Sequence, residues 1–253
     1  MMSDIVCLKW PEFPVPHGFF GCTGGVSTSP YASLNMGPGR GDDLLNIAEN
    51  KKRILQYMFP DQGHVKMFIP RQEHTSDVFV LKDPAFLEAK PADAIVTRCR
   101  GILLGITTAD CGPILFYDPT CKVAGVAHAG WRGAALGVIE NTLMSMISLG
   151  ASYETIIAVL GPTIVPDNYE VKKDFCSELE EQDHEALSFI QKKLDAAYHF
   201  DLPGYILHRL RKKLLFVYSV DQDTFSGPFF SRRRALKEGK DRFGCGLSAL
   251  FCP

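Results

Sequence analysis

No apolar run in this chain of 253 residues exceeds the length of a strand, far short of the roughly 20 residues a membrane-spanning helix needs. The N-terminus, with Asp4, Lys9 and Glu12, has no apolar core of the kind a secretory leader carries, so a cytoplasmic protein is expected. Charge of one sign is also missing. Lys and Arg number 27 against 29 Asp and Glu, a net charge of −2, which leaves no footprint for nucleic acid or an anionic membrane. The cysteines, at 7, 22, 99, 111, 121, 176, 245 and 252, form no CxxC pair. With no export signal and a chain long enough to bury its own core, reduced thiols are expected rather than a disulfide framework. The 7 histidines include no His-x-His pair, which speaks against a multicopper cluster. Internal repeats, linkers and low-complexity stretches are lacking too, so residues 1–253 read as a single domain.

What is present concentrates between Gly101 and Leu149. Gly101 to Thr108, Pro113 to Tyr117 and Lys122 to Ala127 are apolar runs of strand length. Asp118-Pro119-Thr120-Cys121 between the last two is turn chemistry. From Trp131 the apolar spacing becomes helical through Leu136, Ile139, Leu143, Met146 and Ile147, with Gly150 as the terminator. A turn centred between Pro119 and Thr120 pairs residues whose numbers sum to 239, and so sets Cys111 opposite His128. Directly opposed side chains have Cβ atoms about 4.5–5.5 Å apart. A thiolate and an imidazole that close can share a metal, or form a nucleophile–base pair in a thiol hydrolase. Asp110 ends an apolar strand, where a carboxylate needs a reason to be. Trp131-Arg132-Gly133 places an aromatic and a guanidinium at a helix start, the end that favours anions.

Elsewhere Gly21 to Asp43 is a long Gly-, Ser- and Pro-rich loop whose Tyr31, Leu34, Asn35 and Met36 argue for packing or for cover over an active site. Asp42 or Asp43 caps a helix whose apolar face is Leu44, Ile47, Ile54, Leu55 and Met58. Val65 to Pro70 and Val78 to Leu81 are short strands, and His74 between them is a possible third ligand. Ala92 to Thr97, Ile156 to Leu160, Leu214 to Val220 and Leu247 to Phe251 are further strands. Asp174 to Leu194 reads as one charged surface helix, with His184 facing solvent, and a helix opening at Asp201 runs to about Lys213. Phe229-Phe230-Ser231-Arg232-Arg233-Arg234 begins a basic tract, read either as a solvated turn or as a phosphate clamp. Strands in hairpin clusters with helices between them predict an α+β fold.

The segments GGVSTSPYASLNMG, ADAIVT, TADCGPIL, GVAHAGWRGAALGVIE, GPTIVPDNYEV and FFSRRR together resemble the laccase-domain proteins, also called multicopper polyphenol oxidase-like or zinc-dependent purine nucleoside phosphorylases. The resemblance runs from about Phe19 to Phe251. It implies a sandwich of mixed β-sheets flanked by helices, with a zinc ion held by His74, Cys111 and His128. Copper is the alternative metal. It further implies phosphorolysis of adenosine, inosine and methylthioadenosine, with adenosine deamination and phenol oxidation as other family activities. Purine nucleosides and phosphate are then the partners. Asn35, Gln72, Arg132, Arg233 and Arg234 are expected to bind substrate, Cys111, His128 and Asp110 to do chemistry, and Trp131 or Tyr31 to stack on the purine. A non-catalytic zinc-binding module is the other class these residues allow. The chain departs from the family pattern at Gly21-Cys22, Thr75, Ile206 and Arg232.

Overall fold

Every residue of 102–106, Gly112–Asp118 and Val123–Ala129 is buried, because these strands are covered on both faces and so carry continuous apolar runs rather than an alternation. The computed structural model describes residues 5–39, 41–61, 65–85, 90–193 and 197–253. In chain order its elements are β1 (Cys7–Leu8), β2 (His17–Phe20), α1 (Leu44–Met58), β3 (Lys66–Phe68), β4 (Val78–Leu81), β5 (Ala94–Thr97), β6 (Ile102–Thr108) and β7 (Gly112–Asp118). Then come β8 (Val123–Ala129), α2 (Trp131–Ala135), α3 (Val138–Ser148), β9 (Ile157–Leu160), β10 (Glu170–Val171), α4 (Lys173–Gln182), β11 (Ile190–Lys192) and β12 (Tyr198–Phe200). The chain closes with α5 (Leu202–Arg211), β13 (Phe216–Ser219), α6 (Arg232–Lys237) and β14 (Gly246–Cys252).

Two large mixed sheets are stacked. One has the order β1-β2-β14-β6-β3 and the other β13-β9-β7-β8-β5-β4. Phe19, Ile102, Leu104, Ile106 and Leu250 of the first pack against Ile95, Leu115, Val126 and Val159 of the second. The outer face of the first sheet, with Phe20, Leu103 and Leu247, is covered by Ile54 of α1 and by Leu34 and Met36 of the long loop. The outer face of the second, with Val96, Ile114 and Phe116, is covered by Ile139, Leu143 and Met146 of α3 and by Tyr205, Ile206 and Leu210 of α5. The α+β sandwich of mixed sheets between helices is therefore the observed architecture. No disulfide forms among the described residues, and no described helix is long and apolar enough to cross a membrane.

Several local expectations are corrected. The β7–β8 ladder pairs Pro113 with His128 and Asp118 with Val123, so paired numbers sum to 241 and the connection is two residues longer at its far side. Lys122 takes a left-handed φ of 53°, and the Asp118 carboxylate accepts from the amides of Thr120 and Cys121 at 2.8 and 3.0 Å. That acceptor holds a wider turn than Pro119 alone would set. The helix read from Trp131 onward breaks at Gly137, φ 94°, into α2 and α3. Leu44 is 69% exposed, so α1 buries Ile54 rather than its first residue. The charged segment from Asp174 is not one helix: α4 stops at Gln182, a 3₁₀ turn spans His184–Phe189, and β11 follows. Leu194, its expected end, lies outside the described residues. Tyr205 in α5 donates to Asp183 at 2.5 Å and Arg209 pairs with Asp183 at 2.7 Å, which pins the chain reversal there. The FFSRRR tract is no solvated turn, since Ser231 caps α6 by accepting from the Arg234 amide at 3.1 Å.

Candidate metal centre

One end of the sandwich gathers every segment that carries chemistry. β6 leaves the first sheet at Thr108 and β7 enters the second at Gly112, so Ala109, Asp110 and Cys111 bridge the two sheets. The end of β8 delivers His128, and the segment after β3 delivers His74. Donor atoms of His74, Cys111 and His128 all lie within 4.8 Å of one another. Cys111 Sγ is 3.8 Å from His74 Nε2, and the two imidazoles meet edge to face with centroids 4.7 Å apart. His128 is buried, Cys111 half-buried and His74 exposed, so the cluster opens on one side. Zinc bonds of about 2.0–2.3 Å to nitrogen and thiolate suit such a cluster, and three protein ligands leave a position for substrate or water. The donor set therefore fits a zinc-class ion.

Asp93 was not expected at this site. It is wholly buried just ahead of β5, and its carboxylate accepts from His128 Nδ1 at 2.7 Å. It also accepts from the amides of Glu73, His74 and Thr75, at 3.1, 3.0 and 2.7 Å. Burial alone would raise its pKa, but the His128 hydrogen bond and charge, with the backbone donors, hold it down at about 2. The only hint in the sequence is a carboxylate between two alanines at the head of an apolar strand. Burial likewise opposes charge on Cys111 and His128. Each nonetheless favours the charged form of the other, so the thiol is driven down and the imidazole up.

The cluster sits in a cavity of about 870 Å³, within the usual range for small-molecule sites. Of the expected substrate residues, Gln72, Arg132 and Arg233 line it. Gln72 is committed to β6, donating to Thr107 O at 2.7 Å and accepting from Thr107 N at 2.8 Å. Arg132 lies over the Trp131 ring at 4.4 Å and pairs with Glu178 at 2.7 Å. Arg233 donates to Glu170 O at 2.8 Å and lies over Tyr169 at 5.4 Å. Arg232 also lines the cavity.

Arg234 and Asn35 do not line it. A helix turns about 100° per residue, so α6 sends Arg234 inward, where its guanidinium donates to the carbonyls of Thr224, Phe225, Gly227 and Phe229. Asn35 is fully buried in the long loop, donating to Asp42 at 2.8 Å and accepting from the Gly37 and Cys245 amides. That loop is packed and also brings Gly37 and Pro38 to the cavity. Tyr31, 5% exposed, stays within it. Asp110 lines the cavity with φ 92°, but both its oxygens are engaged, by Thr224 Oγ1 and by the Arg233 amide, each at 2.7 Å. It ties the bridge to α6.

Residues 16–249 match the family model described as multi-copper polyphenol oxidoreductase laccase. The chain is 32% identical to a protein of Escherichia coli K12 named purine nucleoside phosphorylase YfiH, over 94% of this chain and 97% of that one. It is 40% identical to the Deinococcus radiodurans protein named purine nucleoside phosphorylase, over 68% of this chain and 65% of that one. A crystal structure of a Neisseria meningitidis protein superposes with TM-score 0.82 and 27% identity over 99% of each chain. One of Bacillus licheniformis YfiH gives TM-score 0.87 over 100% of this chain and 98% of that one; at 24% identity it speaks to the fold alone.

Proposed function

The chain belongs to the multi-copper polyphenol oxidoreductase laccase family, and on that premise we propose that it is a zinc-dependent purine nucleoside phosphorylase taking adenosine, inosine and methylthioadenosine with inorganic phosphate. The observation that carries the reading is the union of a three-ligand metal cluster with five cationic side chains in one cavity: His74, Cys111 and His128 beside Arg71, Arg132, Arg232, Arg233 and Lys237. Relatives over most of the chain carry the phosphorylase name.

When bound, zinc supplies Lewis acidity toward a substrate oxygen or lowers the pKa of a bound water. The remaining work falls to the chain. Guanidinium groups bind phosphate oxygens bidentately, so Arg132 and Arg233 hold the nucleophile. Trp131 and Tyr169, beneath those guanidiniums, brace them. Burial keeps the Tyr169 phenol protonated, a donor at the cavity wall. Attack on ribose C1′ breaks the C1′–N9 bond, whose electron pair leaves with the purine. Holding phosphate against that carbon is a proximity effect. Among the described residues the one His/Cys cluster is this triad, too few ligands for several coppers.

The decisive assay is a nucleoside panel on metal-analysed protein with and without phosphate. Base release that requires phosphate and yields a sugar phosphate supports phosphorolysis. Release or deamination independent of phosphate overturns it.

A second reading has one observation in its favour. Cys111, His128 and Asp93 stand in the order of a nucleophile, base and orienting acid, with His128 Nδ1 on Asp93 at 2.7 Å. Asp93, not Asp110, takes the orienting place. Nucleoside turnover that survives complete chelation but stops on alkylation of Cys111 would favour the thiol enzyme.

A further inference from the structure

The Asp93 carboxylate is hydrogen-bonded to both histidine arms of the cluster. Oδ1 accepts from His128 Nδ1 at 2.7 Å and from the His74 amide at 3.0 Å. Oδ2 takes the amides of Glu73 and Thr75, at 3.1 and 2.7 Å, and the Thr75 hydroxyl at 3.0 Å. The Asp93 carbonyl accepts from the His128 amide at 2.7 Å, so the residue grips that histidine at backbone and ring alike. Five donors on one buried carboxylate fill the acceptor capacity of both oxygens.

Two consequences are geometric. First, a neutral histidine whose Nδ1 donates to a carboxylate is held in the tautomer whose other nitrogen is unprotonated and free to bind a metal. Second, His74 has a φ of 60°, a left-handed conformation that a residue with a β-carbon keeps only where its surroundings impose it. Three successive amides, Glu73 to Thr75, converging on the Asp93 carboxylate are what impose it. Resting on the metal-centre reading above, we propose that Asp93 is the positioning residue of the site, presetting the tautomer of His128 and the backbone of His74 so that two ligands from distant segments are aligned before metal arrives.

An amide cannot replace it. In Asp93→Asn one carboxylate oxygen becomes an NH₂ group. It must face either the His128 ring proton or the donors of Glu73 and Thr75, a donor against donors in both orientations.

The test is zinc affinity, by competition with a chromophoric chelator, for the wild type, Asp93→Asn and His74→Ala. The expected result is zinc bound about 10–100-fold more weakly by folded Asp93→Asn, the range for loss of a carboxylate behind a metal-binding histidine. Wild-type affinity in Asp93→Asn, with His74→Ala impaired, overturns the role of Asp93 and leaves the metal site standing. Equal, negligible zinc binding by wild type and His74→Ala overturns the metal centre itself. Should Asp93→Asn fail to fold, the wild type carries the measurement. Nitrogen-15 NMR of its zinc-loaded form must show His128 protonated on Nδ1, and metal on Nδ1 instead overturns the proposal.

Discussion

Pro113, not Cys111, faces His128 across the β7–β8 ladder, and continuing that register sets Cys111 against Gly130. Because the offset is two residues, Cys111 stays on the face of the sheet that carries His128; a slip of one would have turned it away. The small residue opposite then matters. A Cβ on Gly130 would come within 3.0 Å of Cys111 Sγ and 3.1 Å of His74 Cδ2. The φ of −72° there suits any residue, so Gly130→Ala carries no backbone penalty. It is expected to fold with near-wild-type stability and to bind zinc several-fold more weakly. Unchanged affinity in a chelator competition refutes the crowding argument.

Cys111→Ala removes the thiolate ligand while leaving a half-buried position that alanine fills. Metal analysis should find the zinc lost and circular dichroism should find the fold kept. Stoichiometric zinc in that variant would remove Cys111 from the centre.

Arg233 and Arg234 are neighbours with opposite assignments. Arg233→Ala should raise the KM for phosphate by about tenfold or more, the loss of a charged hydrogen bond worth about 1.5–3 kcal/mol, with little change in melting temperature. Arg234→Ala leaves the carbonyls of Thr224, Phe225, Gly227 and Phe229 without their donor. It should cost about 2–3 kcal/mol of stability by urea unfolding, with KM for phosphate little altered in the folded fraction. The reverse pattern would exchange their roles.

His17 carries a pH dependence remote from the cavity. It is 4% exposed, with Nδ1 donating to Val15 O at 2.8 Å and Nε2 accepting from the Trp10 amide at 2.9 Å. Burial lowers its pKa from the ordinary 6.5, against the Val15 bond. Its folded-state pKa is thus the lower one, and the unfolded chain binds the extra proton. The stability it contributes is full above pH 6.5 and is lost as pH falls from there through the folded value. Urea midpoints should decline on acidification below 6.5, and His17→Gln should flatten that slope. Equal slopes for both proteins would assign the decline to other groups.

Much of the fold was legible because its strands are buried on both faces. Continuous apolar runs such as Ile102–Thr108 and Gly112–Asp118 announce themselves without any partner being known. So did the caps: Asp43 accepts from the Leu45 amide at 2.8 Å, and Asp201 from Gly204 at 2.9 Å. Hairpin parity points to Cys111 and His128, and the motif resemblance joins His74 to that pair. What was not legible depended on contacts distant in the chain. The Asp118 carboxylate that holds the widened turn also accepts from the amide of Ser152 at 2.9 Å, a residue 34 positions away. The reversal after Gln182 answers to Tyr205 and Arg209.

Residue types and periodicity alone determined most strands of the two large sheets, and that a thiol and imidazoles were available to a metal. Those are local consequences of side-chain chemistry and backbone preference. Tertiary structure alone decided that Arg232 and Arg233 line the cavity while Arg234 turns away, that Asp110 is bound up with α6, and that a carboxylate at position 93 holds two histidines from distant segments. Each of these is a hydrogen-bonding choice among groups that meet only after the sheets have stacked, and no spacing along the chain encodes which donor reaches an acceptor first.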